Sequence, residues 1–338
     1  MTKAEGRRQK AKGVWVILPP SSFILGCVLA AGPASAQPYP TKPVRIVVTY
    51  VPGGNTDVAA RLVSSYLTNN LGQTVIIDNR GGAGGVVGTE IAARAAPDGH
   101  TLLFGTSAGL SINPQLQPKL PYNVERDFAP ISLLVINPQL MVAHPGLPAN
   151  TVGDLLKLAR AQPGRINYAS VGVGSPNHLG MELLKNMTGI DIVHVPYKGS
   201  APAVLDLMSG SVSVFFSSIP VMLTHVRSGR LKALAVGSAM RSPAAPEIPT
   251  VAESVPGFEY VTWYGLFVPA ATPRAIVARL NDAVVKSLRL PRLDQQLREQ
   301  GSEPRPTTPA ETVKFMKEEH ARWSLVVKAT GLAGKINP

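Results

Sequence analysis

Residues 44–67 read VRIVVTYVPGGNTDVAARLVSSYL, and the order of residue types in that stretch decides the fold. Val44 to Tyr50 is a short β-branched run, which predicts a strand. Pro52-Gly53-Gly54 breaks it, and Val58, Leu62 and Tyr66 follow at helical spacing. Asn55 or Thr56 can cap that helix, Asp57 sets a carboxylate against its positive end, and Gly72 stops it. The same order then repeats. Thr74 to Ile77 is a second strand, Gly81-Gly82-Ala83-Gly84-Gly85 a second glycine loop, Val86 to Ala95 a helix and Thr101 to Phe104 a third strand. Such alternation predicts a parallel α/β sheet.

Further along, Ile131 to Val142 reads as a crossing strand region, after which the pattern restarts. Thr151 to Ala161 is helical, and Ile166 to Ala169 is a strand running into a third glycine loop. A helix from Ser175–His178 to Gly189 follows, then the strand Ile192 to Val195, the helix Ala201 to Met208 and the strands Val212 to Phe216 and Leu231 to Val236. Beyond a proline-rich loop, Val261 to Val268 reads as a returning strand, and three helical segments close the chain. The last opens on Thr308-Pro309-Ala310-Glu311, a capping-box pattern with proline at the first helical position. Return of the C-terminal part to the first unit gives two lobes with a hinged cleft: 37–138 plus 262–338, and 139–261. The two crossovers fall near Ile136 to His144 and Gly237 to Trp263.

The N-terminus sets the compartment. Lys3, Arg7, Arg8, Lys10 and Lys12 precede an apolar stretch from Phe23 to Ala31, and Ala34-Ser35-Ala36 is a small-residue cleavage site. Residues 1–36 therefore read as a signal peptide, which places the mature chain in the periplasm. Ile24-Leu25-Gly26-Cys27 also fits a loose lipoprotein box, the alternative being a lipidated Cys27. Cys27 is the only cysteine, so cleavage after Ala36 leaves 302 residues without thiol chemistry, disulfides or Cys-bound zinc. Loss of five basic residues and Glu5 takes the formal net charge from +12 to +8, a field suited to anionic solutes. The basic residues are scattered, with no aromatic-interleaved run, so nucleic acid is not an expected partner.

In open α/β sheets, ligands sit where strand ends lead into helix N-termini. Two loops here have that form: Tyr50 to Asp57, and Ser170-Val171-Gly172-Val173-Gly174-Ser175-Pro176-Asn177-His178. Helix N-terminal amides are donors without intrahelical partners, and the macrodipole favours an anion. Hydrogen bonds to a charged acceptor contribute about 1.5–3 kcal/mol each, so three or four support micromolar binding, near −8 kcal/mol, after association costs. No arginine is required. For either loop alone, the plain alternative is a glycine making a tight turn. Enzyme signatures are sparse: Gly105-Thr106-Ser107-Ala108-Gly109 is a Gly-x-Ser-x-Gly match, and Ser175 and His178 have the spacing of a cap. His144, His194 and His225 are too widely spaced for a His-Glu-x-x-His zinc site. Gly82, Gly84 and Gly88 miss the dinucleotide fingerprint by one place, and no cofactor is expected. Trp263 and Tyr264, in the returning strand, read by default as core residues that could also flank the cleft.

Five motifs, in order and spacing, carry a family resemblance: Pro52 to Asp57, Asn79 to Gly85, Pro97-Asp98-Gly99-His100-Thr101-Leu102-Leu103, Pro196-Tyr197-Lys198-Gly199 and Ile248-Pro249-Thr250-Val251-Ala252-Glu253. Together they resemble the Bug-type solute receptors of tripartite tricarboxylate transporters, over Tyr39 to Gly331. The resemblance implies a type II periplasmic-binding-protein fold and a non-enzymatic receptor, expected to be a monomer, that delivers a small carboxylate to transporter membrane subunits. It implies that Tyr50, Asn55 and Thr56, beside Gly54, meet the ligand carboxylate from one lobe. Ser170, Gly174 and Ser175, beside Gly172, meet it from the other. Thr106, Ser107 and Ala108, with the Phe216-Ser217-Ser218 loop, line the distal end. Asp57 braces its loop. Related receptors often carry an aspartate near Ser217; its absence here disfavours an amino-acid ligand and leaves a dicarboxylate or aromatic acid. A receptor signalling to a membrane sensor kinase has the same fold and site and stays open beside the transporter role.

Overall fold

Strand β1 (Val44–Val48) buries every side chain except that of Arg45, as expected of a central parallel strand. In the computed structural model, which describes residues 39–335, helix α1 (Asn55–Leu71) follows. It ends at Gly72, left-handed at φ 70°, and leads to β2 (Val75–Asn79). Helix α2 (Val86–Ala93) and strand β3 (Thr101–Thr106) complete the first unit, with β1 paired in parallel between β2 and β3. The signal-peptide and Cys27 readings lie outside the described residues.

A π-helical turn at Ala108–Ile112, α3 (Asn113–Leu116) and α4 (Val124–Asp127) lead into β4 (Phe128–Ala143), a single strand of 16 residues. The second unit comprises α5 (Val152–Ala161), β5 (Asn167–Ser170), α6 (Pro176–Thr188), β6 (Val193–Pro196), α7 (Ser200–Ser209), β7 (Val214–Ser218), α8 (Ile219–Arg227) and β8 (Lys232–Val236). The chain then runs through β9 (Val261–Pro269), α9 (Arg274–Leu288), α10 (Pro291–Glu299), β10 (Glu303–Pro304) and α11 (Pro309–Thr330). The strand order is β2-β1-β3-β9-β4-β7-β5-β6, with β8 and β10 also on β4. Strand β4 is shared: Phe128 to Pro138 pair with β9 and β10, and Gln139 to Ala143 with β7 and β8.

Four sequence expectations change. The sheet is mixed rather than parallel, because β9 returns antiparallel between β3 and β4, and β4 runs antiparallel to β7 and β8. In α1 the deeply buried stripe is Ala60, Val63, Leu67 and Leu71, while Val58, Leu62 and Tyr66 are half-buried. Small Ala59 and Ala60 let the helix approach closely, and the Tyr66 hydroxyl reaches out to Gln296 of α10 at 2.9 Å. The cap of α1 is Gly54, without a side-chain bond, so Asn55 and Thr56 lie inside the first turn. Ser217 and Ser218 belong to strand β7 rather than a loop, and Ser218 leads straight into α8, with Pro220 in its first turn.

Helix α11 starts with the expected capping box: Thr308 Oγ1 accepts the Glu311 amide, and Glu311 Oε2 accepts the Thr308 amide at 2.8 Å. Its upper turns give Phe315 and Met316 to a core containing Val47, Leu103, Trp263 and Phe267. Its lower turns give Trp323, Val326 and Val327 to a second core around Met141, Tyr168, Leu184, Phe216 and Tyr260. Each such buried side chain contributes about 1.5–3 kcal/mol. Between the cores sits Glu319, only 1% exposed, accepting indole N–H bonds from Trp263 (3.1 Å) and Trp323 (3.0 Å). Its other oxygen meets Arg322, which bridges to Glu259 at 2.6 Å. Where the chain passes from β8 towards β9, Gly237 donates to the Gln139 carbonyl and accepts the Tyr260 amide, both at 2.7 Å. A β-carbon there would stand 2.4 Å from the Tyr260 carbonyl oxygen, so only glycine fits.

Candidate ligand-binding site

One carboxylate shapes the loop between β1 and α1. Asp57 accepts the Gly53 amide (2.9 Å), Arg61 Nε (3.0 Å) and Asn79 Nδ2 (3.0 Å), and Asn79 also donates to the Tyr50 carbonyl (3.0 Å). The Arg61 hydrogen bond, helped by those from Gly53 and Asn79, holds the Asp57 pKa below the ordinary carboxylate value against desolvation. Its bonding capacity is taken up by its own loop, so it braces the turn that presents Gly54 and Asn55. Next to them, Thr56 Oγ1 donates to the Tyr264 hydroxyl (3.3 Å). Burial raises the pKa of Tyr50 and Tyr264, so both stay protonated. Thr106 ends β3 opposite Tyr264 of β9, and its Oγ1 accepts the Gly109 amide (3.2 Å) in the π-helical turn that Ser107 and Ala108 open.

The second loop is bonded mainly within itself. Ser170, fully buried at the end of β5, has its Oγ 3.1 Å from the Gly172 amide and 2.6 Å from His194 Nε2. Gly172 (φ 133°) and Gly174 (φ 76°) take backbone conformations that L side chains rarely adopt. Ser175 caps α6: its Oγ donates to the Gly172 carbonyl (2.6 Å) and accepts the His178 amide (3.4 Å). The Gly174 amide donates to His178 Nδ1 at 3.0 Å.

Between these elements lies a cavity of about 200 Å³. Asn55, Ser217 and Ser218 line it, as do Asn137 and Gln139 of β4, Asn177 of α6, Ser200 of α7, Thr262 and Tyr264 of β9, and Gln300 to Ser302. Every side chain on that wall is an uncharged amide or hydroxyl. Gln139 Nε2 donates to the Asn137 carbonyl (2.9 Å) and Thr262 Oγ1 (3.3 Å), Ser302 Oγ to Asn137 Oδ1 (2.6 Å), and Asn177 Nδ2 to the Phe216 carbonyl (2.7 Å). Thus three expected site residues share the cavity. Tyr50, Gly54, Thr56, Thr106, Ser107, Ala108, Ser170, Gly172, Gly174 and Ser175 are not on its wall, although Thr56 bonds to Tyr264 and Thr106 lies opposite it in the sheet. Other hollows, near Val124, Phe128, Met316 and His320, contain none of the expected residues. Among the described residues, no three His, Cys, Asp or Glu side chains group as a metal site.

The expected site did not include Asn137, Gln139, Asn177, Ser200, Thr262, Gln300 or Ser302 of this wall, and the default placing of Tyr264 is in the core, with a place beside the cleft left open. One signal was available: the alternating burial of β9 puts Thr262 and Tyr264 on the face opposite Trp263.

A family model described as "Tripartite tricarboxylate transporter family receptor" matches residues 59–332. The chain belongs to that family. The receptor is 39% identical over 303 residues to the protein BugT of Bordetella pertussis, covering 89% of this chain and 93% of BugT. Among solved structures, it resembles R. palustris Rpa4515 with adipate, at 36% identity and a TM-score of 0.74, covering 87% of this chain and 99% of the other. It also resembles MatC from Rhodopseudomonas palustris with bound malate, at 34% identity and a TM-score of 0.70, covering 86% and 100%. The family and fold class expected from the five motifs are borne out. Among the described residues, no helix of the receptor is long and apolar enough to cross a membrane.

Proposed function

We propose that the receptor works outside the cytoplasm, binding a small di- or tricarboxylate or an aromatic acid between two lobes, 37–138 plus 262–338 and 139–261. It passes the ligand to the membrane subunits of a tripartite tricarboxylate-type transporter and catalyses no reaction. The ligand carboxylate lies between the loop of Tyr50, Gly54, Asn55 and Thr56 and the loop of Ser170, Gly172, Gly174 and Ser175. Thr106, Ser107, Ala108, Ser217 and Ser218 line the far end of the pocket. The observation that carries this reading is the cavity wall of neutral amides and hydroxyls, drawn from β4, β7, β9 and the first turns of α1, α6 and α7. Such a wall solvates an anion by hydrogen bonding, each bond contributing about 1.5–3 kcal/mol, without a buried counter-charge. It offers no carboxylate to an ammonium group. The malate and adipate held by the two similar structures support the same ligand class.

Thermal-shift measurement against dicarboxylates, aromatic acids, amino acids and neutral analogues tests the proposal. A true ligand at about 100 times its Kd adds roughly 2.7 kcal/mol of folding stability. Stabilisation by amino acids alone, or turnover of any acid by the purified protein, refutes it.

A further inference from the structure

Next to the second loop, three rings form a stack. His178 of α6 and His194 of β6 lie with centroids 3.9 Å apart and planes 18° apart, and Tyr168 of β5 stacks on His194 at 5.1 Å and 25°. Each imidazole touches the loop, His178 through the Gly174 amide at Nδ1 and His194 through Ser170 Oγ. An amide donating to Nδ1 requires that nitrogen to be unprotonated, so the ring proton of His178 sits on Nε2. The loop has little packing to fix it: Val173 between the two positive-φ glycines is exposed, and a β-carbon on Gly172 would meet nothing within 4 Å.

We propose that His178 is the positioning residue of this loop, its bare Nδ1 fixing the direction of the Gly174 amide and hence the shape offered to the ligand carboxylate. The inference rests on the receptor reading above. The titratable groups around the stack belong to three elements. Glu182 and Lys185 of α6 pair with each other at 2.8 Å, and the Tyr168 hydroxyl of β5 donates to Glu182 at 2.5 Å. On β6 the group is His194 itself. Strand β7 carries no ionisable side chain, and the α11 pair Glu319 and Arg322 is engaged with Glu259. Burial, reinforced by His194, lowers the His178 pKa to about 4, and burial lowers that of His194 as well. Two imidazolium rings cannot share a 3.9 Å stack. The loop is therefore held at neutral pH and released as pH falls through about 4.

Two substitutions separate the acceptor from the ring. His178→Asn keeps an acceptor oxygen near the Nδ1 position without an aromatic face, whereas His178→Phe keeps a ring on His194 without an acceptor. In ligand-free, nitrogen-15-labelled wild type at pH 7, the His178 Nδ1 shift should lie in the unprotonated range. In the Phe variant the Gly174 amide proton should move upfield and exchange about tenfold faster, and the Asn variant should restore it. Binding of adipate and malate, followed by calorimetry, should weaken about tenfold with Phe and change little with Asn. A protonated Nδ1 in the wild type, an unmoved Gly174 amide in the Phe variant, or equal behaviour of the two variants overturns the proposal. Wild-type protein that binds no member of the dicarboxylate, tricarboxylate and aromatic-acid panel while the amide responds as stated refutes the carboxylate reading and supports the loop assignment.

Discussion

Replacing Glu319 with leucine tests whether the carboxylate between the two cores holds them together. The substitution keeps most of the side-chain volume and removes three hydrogen bonds. Trp263 and Trp323 are then left with indole N–H groups in sites that are 0% and 1% exposed, and each orphaned donor costs about 1–3 kcal/mol. Arg322 is partly solvent-exposed and retains Glu259, so its loss is smaller. The sum is roughly 4 kcal/mol, which for a chain of this size corresponds to a fall in Tm of about 8 °C. Glu319→Gln should lose about half as much, because its oxygen still accepts from the indoles while its amide hydrogens face the Arg322 guanidinium. Burial raises the Glu319 pKa, opposed by Arg322 and the two indoles, so the carboxylate depends on those donors. Urea unfolding at pH 7, followed by fluorescence of Trp263 and Trp323, measures both variants. A leucine variant within about 1 kcal/mol of the wild type would show that the indoles find other partners, and the pinning argument would fail.

Other expectations follow from single contacts. Asp57→Ala should cost about 2 kcal/mol by freeing the Gly53 amide, Arg61 and Asn79, and should weaken carboxylate binding; unchanged affinity on titration calorimetry argues against a bracing role. Because the folded-state pKa of Asp57 is lowered, its contribution is present above the unfolded value near 3.8 and disappears as pH falls through the lower folded value. His178 has the same sign of dependence. Its pKa falls from 6.5 to about 4 on folding, so unfolding experiments should show stability dropping between those pH values by at most roughly 3 kcal/mol, and His178→Phe should flatten that slope. Gly174→Leu, at φ 76°, should abolish ligand-induced stabilisation while circular dichroism stays native; retained affinity would remove the loop from the site. Gly237→Ala must displace the Tyr260 carbonyl and should destabilise by about 1–3 kcal/mol in urea.

Much of this architecture could be read from residue types, because local physics sets it. Strand runs ending in glycine, the stops at Gly72, Gly189 and Gly331, and the Thr308 capping box all act within a few residues. Strand β4 was harder. It is largely buried on both faces, so it shows no period of two, and Asn137-Pro138 in its middle looks like a break. Helix α8 follows strand β7 without an intervening loop, and its only local marks are Ser218 at the cap and Pro220 in the first turn. The two glycine loops stand out because glycine is conspicuous, and Asp57 because an acid at a helix start has a known use. The cavity wall was not legible. Asn177 and Gln300 are uncharged and far in sequence from Asn137 and Gln139 of β4, and each alone looks like an ordinary surface amide until the fold brings them together.

Helix α11, last in order among the described elements, supplies side chains to both cores. A chain truncated before Glu319 has neither Trp323 to fill the space beside Tyr260 nor an acceptor for the Trp263 indole. Truncation there should leave both cores unfinished, so the two halves become stable together rather than one after the other.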